Sequence, residues 1–305
     1  ATRKRRVRGS HVQTTQNWSL QQLPDMDTQQ FRQWQTLLEA RTGVCVSDQR
    51  KTFLQTSLGA RMRELNLADY QTYFEYVTNG AAGAVEWSAL IERLTVRETS
   101  FMRHRPSFEA VGRHLDLLLK GRDKERPLQL WSVGCASGEE AYSMAIMVEQ
   151  SLRRAGGHPG GYGIWATDIS HKALEQGRTA VYPGARLGGL NERERREWLQ
   201  PLANDRYEVA YALRDRVCFA RVNILELAQA PIQDLDIIFC QNLLIYFRRW
   251  RRRDLLNLLA RRLAPGGMLV IGLGEIVDWN NPLLERLPDD QVQAYVRRES
   301  NGRLE

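Results

Sequence analysis

The stretch Trp131-Ser132-Val133-Gly134-Cys135-Ala136-Ser137-Gly138-Glu139-Glu140 decides how the chain is read. An apolar run stops abruptly in a turn of small residues, and a helix opens at Glu139. Glycine lets backbone N–H groups approach a ligand closely, and the positive end of the helix lies over the same spot. Phosphates usually occupy such turns. Two carboxylates in the first helical turn would repel a pyrophosphate but suit the ammonium group of an amino-acid-bearing cofactor, for which S-adenosylmethionine (SAM) is the candidate. A plain strand-to-helix connection is the competing reading of the turn taken alone.

Working outward, Gly163-Ile164-Trp165-Ala166-Thr167 reads as a second strand closing at Asp168, followed by a helix from about Ser170 to Ala180. A carboxylate there can accept both hydroxyl hydrogen bonds of a ribose diol. The alternative for Asp168 is a helix N-cap. Leu235–Cys240, a helix near Trp250 to Leu263, a stop at Pro265-Gly266-Gly267 and a strand from Met268 to Gly272 continue the alternation. The fold predicted for residues 128–305 is α/β, a doubly wound, mostly parallel sheet with its ligand beyond the carboxyl ends of the strands. An insertion at about 181–220 interrupts it, with a charged helix over Asn191–Trp198 and an antiparallel pair, Tyr207–Leu213 with Arg216–Phe219.

Residues 23–94 carry helical periodicity without a strand-like stretch, so a small all-α domain is predicted. Its apolar faces are Phe31, Trp34, Leu37 and Leu38; Leu54, Leu58, Met62 and Leu65; Tyr70, Tyr73, Phe74 and Val77; and Val85, Leu90, Ile91 and Leu94. Arg50 and Arg61 fall on nearly one side of the second helix, with Lys51 and Arg63 nearby. Such a basic face would complement acidic helices of a partner; a merely solvated face is the alternative. Residues 95–127 read as a linker whose hydroxyl-rich and charged start suits a lid, followed by a connecting helix. Residues 1–22 are a basic arm that supplies five of the seven net positive charges, and Gly9-Ser10-His11 resembles a vector-derived tag.

A chain of 305 residues with 43% hydrophobic residues can fill about two cores. It has no apolar run of about 18 residues and nothing like a secretory signal, so a cytoplasmic protein without membrane insertion is expected. Cys45, Cys135, Cys218 and Cys240 form no C-x-x-C pair, and buried, reduced thiols are expected. The five histidines lie at no ligand spacing, so no metal is expected.

Five strings in order, TVRETSFMRHRPSF (95–108), WSVGCASGEEAYSMAI (131–146), ATDIS (166–170), RVNILE (221–226) and FCQNLLIYF (239–247), resemble the CheR-type chemotaxis receptor methyltransferases over roughly residues 27 to 297. The chain is also similar to the branch serving pilus-based motility (PilK-like). The resemblance implies methyl transfer from SAM to glutamate side chains on the cytoplasmic helical bundle of a methyl-accepting receptor, with the all-α domain meeting that receptor. It places Arg97, Thr99, Phe101, Arg103, Gly134, Ala136, Gly138, Glu139, Asp168, Asn223, Ile224, Gln241 and Asn242 around the cofactor. Within this set Arg103 grips the methionine carboxylate, and Asn223 with Ile224 contacts adenine. Tyr246 and Arg103 are the implied catalytic residues, and Arg50, Lys51, Arg61 and Arg63 the substrate-binding ones.

Arg97, Met102, Gln241 and Arg248 stand where family members commonly have asparagine, an aromatic residue, arginine and aspartate. The inserted β-subdomain would add a receptor's C-terminal peptide as an edge strand, although the loop at Asn204-Asp205-Arg206 looks short. Two rival readings are a nucleic-acid methyltransferase using Arg248, Arg249, Arg251, Arg252 and Arg253, and a SAM-holding scaffold without activity. The reading carried forward is a monomer that acts on a receptor, without nucleic acid.

Overall fold

The computed structural model describes residues 25–95, 98–123, 125–157 and 161–299; Arg97 and the basic arm of residues 1–22 lie outside them. Helix α1 (Thr28–Thr42) opens on a capping box. The Asp27 carboxylate accepts from Gln30 N at 2.7 Å, and the Gln30 side chain accepts from Asp27 N at 3.1 Å. Helices α2 (Lys51–Glu64), α3 (Tyr70–Thr78) and α4 (Gly80–Leu94) complete an all-α domain. Its core holds Trp34, Leu54, Leu58, Met62, Tyr70, Tyr73, Leu90 and Ile91.

Two expectations fail inside this domain, for one reason. Val85 is 73% exposed, because the inward position of α4 is taken by its neighbour Glu86. The Glu86 carboxylate accepts from Arg61 Nε at 2.8 Å and from the Tyr73 hydroxyl at 2.7 Å. Arg61 also reaches Glu64. Arg61 is therefore a half-buried cation engaged within the domain, and not part of a receptor-facing surface.

Helix α5 (Arg105–Gly121) leads into the second domain, which runs β1 (Leu128–Val133), α6 (Glu139–Arg154), β2 (Tyr162–Asp168) and α7 (His171–Thr179). The insertion contributes β3 (Val181–Pro183), α8 (Glu192–Trp198), β4 (Leu199–Leu202), β5 (Arg206–Val209) and the short α9 (Tyr211–Arg214). The main sheet resumes with β6 (Val217–Arg221), β7 (Leu235–Cys240), α10 (Arg249–Arg262), β8 (Leu263–Ile271), β9 (Leu284–Arg286) and β10 (Gln293–Arg297). Strand order is β6-β2-β1-β7-β8-β10-β9, parallel from β6 to β8 and antiparallel beyond. The order reverses between β1 and β7, so the crevice at a topological switch point opens beyond Val133 and Cys240. β7 is buried at every position, as expected of a strand covered on both faces.

The insertion is built differently from its reading. β5 pairs antiparallel with β3 and β4, whereas 217–221 joins the main sheet parallel to β2. Alternation revealed a pleat but not its partner. Beyond β5, Val209 and Leu213 are both buried four residues apart, a helical spacing that turns the chain into α9. The β4–β5 hairpin turns on Asn204 and Asp205, whose φ values of 59° and 50° suit its handedness. Because β6 is an edge strand, Cys218 is exposed instead of buried. Pro265-Gly266-Gly267 does not stop α10 either. The helix ends at Arg262, whose buried guanidinium donates to the carbonyls of Leu227 and Ala228, and β8 begins at once, with the glycines beside a register shift opposite Leu235.

Removing the carboxylate in Glu86→Ala strands the half-buried Arg61 charge. A loss of about 3 kcal/mol is expected in urea unfolding; a loss under about 1 kcal/mol would mean that Arg61 simply turns to solvent.

Candidate active site

Two adjoining chambers occupy the crevice, and both are lined by Gly134, Ala136, Asn242 and Tyr246. The turn after β1 creates the shared wall. Gly134 N and Cys135 N donate to Thr167 O at 2.8 and 2.9 Å, which folds the turn back on β2. Gly134 has φ 74°, and a Cβ there would lie 2.8 Å from Leu243 Cδ2, so the position requires glycine. Ala136, at φ 46°, donates its N–H to Asp168 Oδ2 at 2.9 Å.

Asp168 closes β2 and lines the larger, apolar chamber. Its other oxygen accepts from Ser170 N at 2.9 Å, and Ser170, not Asp168, is the N-cap of α7. Burial raises the Asp168 carboxyl above its ordinary range against the pull of these N–H groups. Ile224 lines the same chamber. Asn223 does too, but both ends of its amide are engaged: Nδ2 donates to Arg41 O at 2.8 Å and Oδ1 accepts from Leu225 N at 3.1 Å. The Asn223 amide thus ties the crevice to the end of α1 and is not free to read a base edge. The all-α domain supplies the opposite wall, with Leu38, Val44, Val46 and Arg50. Arg50 stacks over Phe53 at 4.6 Å. Lys51 is partly exposed and Arg63 fully so, both on α2.

The smaller chamber is polar, lined by Glu98, Thr99, Arg103, Glu140, Gln241 and Ile245 among others. Arg103 is exposed, and Nη1 donates to Glu98 O at 2.6 Å. Gln241 Nε2 donates to Ser107 Oγ at 2.9 Å, which fixes the amide beneath the chamber. Asn242 adopts φ 58°, and the Tyr246 carbonyl accepts from Cys45 N at 2.8 Å.

Three predicted cofactor residues lie outside both chambers. Phe101 is fully buried and packs edge-on against Tyr182 at 5.1 Å; it anchors the 99–103 loop, aided by Phe101 N donating to Arg186 O. Gly138 faces Phe219 and the Tyr182 hydroxyl. Glu139 is 1% exposed and accepts from Ser137 Oγ at 2.7 Å, with Arg186 at 4.0 Å. One step of 100° around the helix separates Glu139, turned toward the insertion, from Glu140, turned toward the chamber. The cavity-facing carboxylate is Glu140, which accepts from Ser132 Oγ at 2.7 Å and which burial pushes up to about 7.

Sequence reasoning also missed Glu275, 3% exposed, whose Oε2 accepts from Gly272 N at 2.7 Å. Burial raises its pKa, and the peptide N–H groups of Gly272, Asn242, Ile245 and Leu244 pull it down. Because Oε1 makes no hydrogen bond of its own, the dipoles of residues 242–245 act at longer range. No spacing rule links 275 to 242; only the sheet order brings them together.

An apolar compartment beside an acid-lined turn, a carboxylate at the end of β2 and a polar compartment with an arginine fit the adenine, ribose and methionine parts of SAM. Fold and crevice define a SAM-dependent methyltransferase. A family model described as "CheR methyltransferase, SAM binding domain" matches residues 97–302, and one described as "CheR methyltransferase, all-alpha domain" matches residues 29–95. The chain belongs to the CheR methyltransferase family and is a SAM-dependent protein methyltransferase. The chemotaxis protein methyltransferase of Vibrio parahaemolyticus is 30% identical over 81% of this chain and 89% of its own length. That of Salmonella typhimurium is 29% identical over 80% of this chain and 83% of its own. Among solved structures, the SAM-bound magnesium protoporphyrin IX methyltransferase of Synechocystis PCC 6803 is 13% identical, covers 79% of this chain and 97% of its own, and superposes with a TM-score of 0.35.

A raised carboxyl pKa opposes folding once the group must ionise. Between the ordinary value near 4.5 and about 7, Glu140 therefore costs the empty protein stability as pH rises. Glu140→Gln should match the unaltered chain at pH 5 and exceed it at pH 8 by up to about 3 kcal/mol, read from urea unfolding at both values. Equal gains at the two pH values would assign the effect to packing and not to charge.

Proposed function

We propose that this enzyme forms methyl esters on glutamate side chains of the cytoplasmic helical bundle of a methyl-accepting chemotaxis or pilus chemosensory receptor. The observation that carries this reading is the position of Tyr246, which lines both chambers at their junction beside the carboxyl end of β7. The names of the chemotaxis methyltransferases to which the chain is similar support the same substrate class.

Asp168 would hold the ribose diol, Ile224 and the apolar chamber the adenine, Arg103 and Thr99 the methionine carboxylate, and Glu140 its ammonium group. When bound, SAM supplies an electrophilic methyl group on a positively charged sulfur. The chain's own residues then have a limited task. A glutamate side chain, with an ordinary pKa of about 4.3, arrives ionised and needs no base. Tyr246 orients it through its hydroxyl, while Arg103 stays on the methionine carboxylate. The new bond is between the carboxylate oxygen and the methyl carbon; the sulfur leaves as a neutral thioether, and no proton moves. Opposite charges disappear together, so a water-poor chamber favours the reaction and alignment supplies much of the acceleration.

Arg50 at the N-terminus of α2, with Lys51 and Arg63 on that helix, is left as the basic receptor-facing group once Arg61 is removed from it. A nucleic-acid substrate is disfavoured, since two arginines of its proposed cluster are occupied. Arg248 pairs with Glu39 at 2.8 Å, and Arg252 donates to Phe247 O at 2.8 Å and Glu275 O at 2.7 Å. No helix among the described residues is long and apolar enough to cross a membrane.

Tritium from labelled SAM should pass to receptor cytoplasmic fragments and be released by mild alkali, as esters are and N-methyl groups are not. Tyr246→Phe should lower kcat about tenfold, the worth of one well-placed hydrogen bond, with the Kd for S-adenosylhomocysteine unchanged. Full activity in that variant removes Tyr246 from the reaction.

A further inference from the structure

We propose that the substrate helix beds on an apolar shelf formed by Ile245, Leu273 and Val277 at the outer rim of the polar chamber. This inference rests on the receptor-methylating function above and names the surface that presents the glutamate. The three side chains are 51%, 52% and 58% exposed. Isolated exposed aliphatics are common, but these stand on two loops that are tied to each other.

One guanidinium joins those loops. Arg252 donates from Nη1 to Glu275 O at 2.7 Å and from Nη2 to Ile245 O at 3.3 Å, so the carbonyls of residues 245 and 275 face the same cation. Leu273 and Val277 stand two residues to either side of Glu275. The turn between Gly272 and Glu275 is closed by its own hydrogen bond, Gly272 N to Glu275 Oε2 at 2.7 Å. The shelf is thus apolar and held by polar contacts beneath it, a combination that suits binding without a large ordering cost.

Its location selects the occupant. Ile245 lines the polar chamber next to Tyr246 and Arg103, making the shelf continuous with the opening through which a side chain must reach the reacting centre. On the other side of Ile245, Arg249 is exposed at the start of α10, next to Arg248, which is paired with Glu39. An apolar step bordered by an exposed cation complements an amphipathic helix that carries carboxylates beside small or aliphatic residues. In such a helix the residues three and four positions from a glutamate lie on its own face, about 5–6 Å away. With the glutamate at Tyr246, those neighbours fall on Ile245 and then on Leu273 and Val277. The shelf contributes to choosing which glutamate is modified: the residue one turn along must be apolar.

The decisive variant is the full chain with Leu273→Ser and Val277→Ser, which leaves every chamber-lining residue in place. The KM for a receptor cytoplasmic fragment should rise at least tenfold, with kcat at saturation within about twofold and the Kd for S-adenosylhomocysteine unchanged. An unaltered KM overturns the proposal. A second reading guards against misfolding and needs no chemistry. A Val277→Cys variant in a Cys218→Ser background, labelled with an environment-sensitive dye, should show a blue shift and protection from iodide when the fragment is added. No shift with the fragment, or a shift with anionic phospholipid vesicles in its place, overturns the shelf. If the unaltered chain labels no receptor fragment, the assigned reaction fails, and the dye experiment still decides the shelf by itself.

Discussion

Carboxylates withdrawn from water at the carboxyl end of the parallel sheet are the constraint around which the molecule is organised. Glu140 stands in the first turn of α6, Asp168 closes β2 and Glu275 lies in the turn after β8, and burial raises the pKa of each. Backbone N–H groups and a serine hydroxyl supply partial compensation. Such a cluster reduces folding stability and is retained where a cation is to be met. SAM brings two cationic centres, an ammonium and a sulfonium. The left-handed backbone at Ala136 and Asn242 serves the same end, since non-glycine residues at φ 46° and 58° persist only where their surroundings dictate it. Ala136 points its N–H at Asp168, while Asn242 lies among the peptide groups that stabilise Glu275.

The helical domain is part of this arrangement. It closes the apolar chamber, and the polar ties that fasten it across the crevice include Asn223 to Arg41 O, Cys45 N to Tyr246 O, Arg248 to Glu39, and Ser170 Oγ to Glu92 at 2.5 Å. Glu39 is held below its ordinary range by the Arg248 bond. Each of these ties lands within two residues of a chamber-lining position. A partner that displaced the helical domain would therefore alter the cofactor chamber, and Arg50 belongs to both the chamber and the basic α2 surface.

Local patterns carried the fold a long way. The turn at 134–138, the closing Asp168 and the helical stripes of residues 28–94 are short-range signals, and helices and parallel strands appear where those signals lie. The failures share a cause, which is that partners distant in sequence decided the outcome. Val85 yields its inward place because Glu86 must meet Arg61 and Tyr73. Residues 217–221 join β2 because the sheet has an open edge there, not because of anything adjacent in the chain. Glu139 and Glu140 are indistinguishable as letters, and only the orientation of α6 against β1 and β2 makes one a packing residue and the other a chamber wall. Glu275 was invisible for the same reason.

The chamber's composition bears on the kind of acceptor it can serve. A lysine amine would have to lose a proton before attacking a methyl group, and would need a base to take it. Among the described residues lining the polar chamber there is no histidine and no lysine, and Cys135 is a buried thiol whose pKa burial drives upward. Glu140, the group closest to neutrality, can meet an ammonium only while ionised, so accepting a substrate proton would discharge the partner it offers the cofactor. A carboxylate acceptor removes the conflict. It arrives deprotonated and needs no base. The surrounding acids are held by their own N–H and hydroxyl donors and leave Tyr246 to place the incoming oxygen. The polar chamber thus offers the Glu140 carboxylate to a cationic donor, and Tyr246 stands where that chamber meets the apolar one.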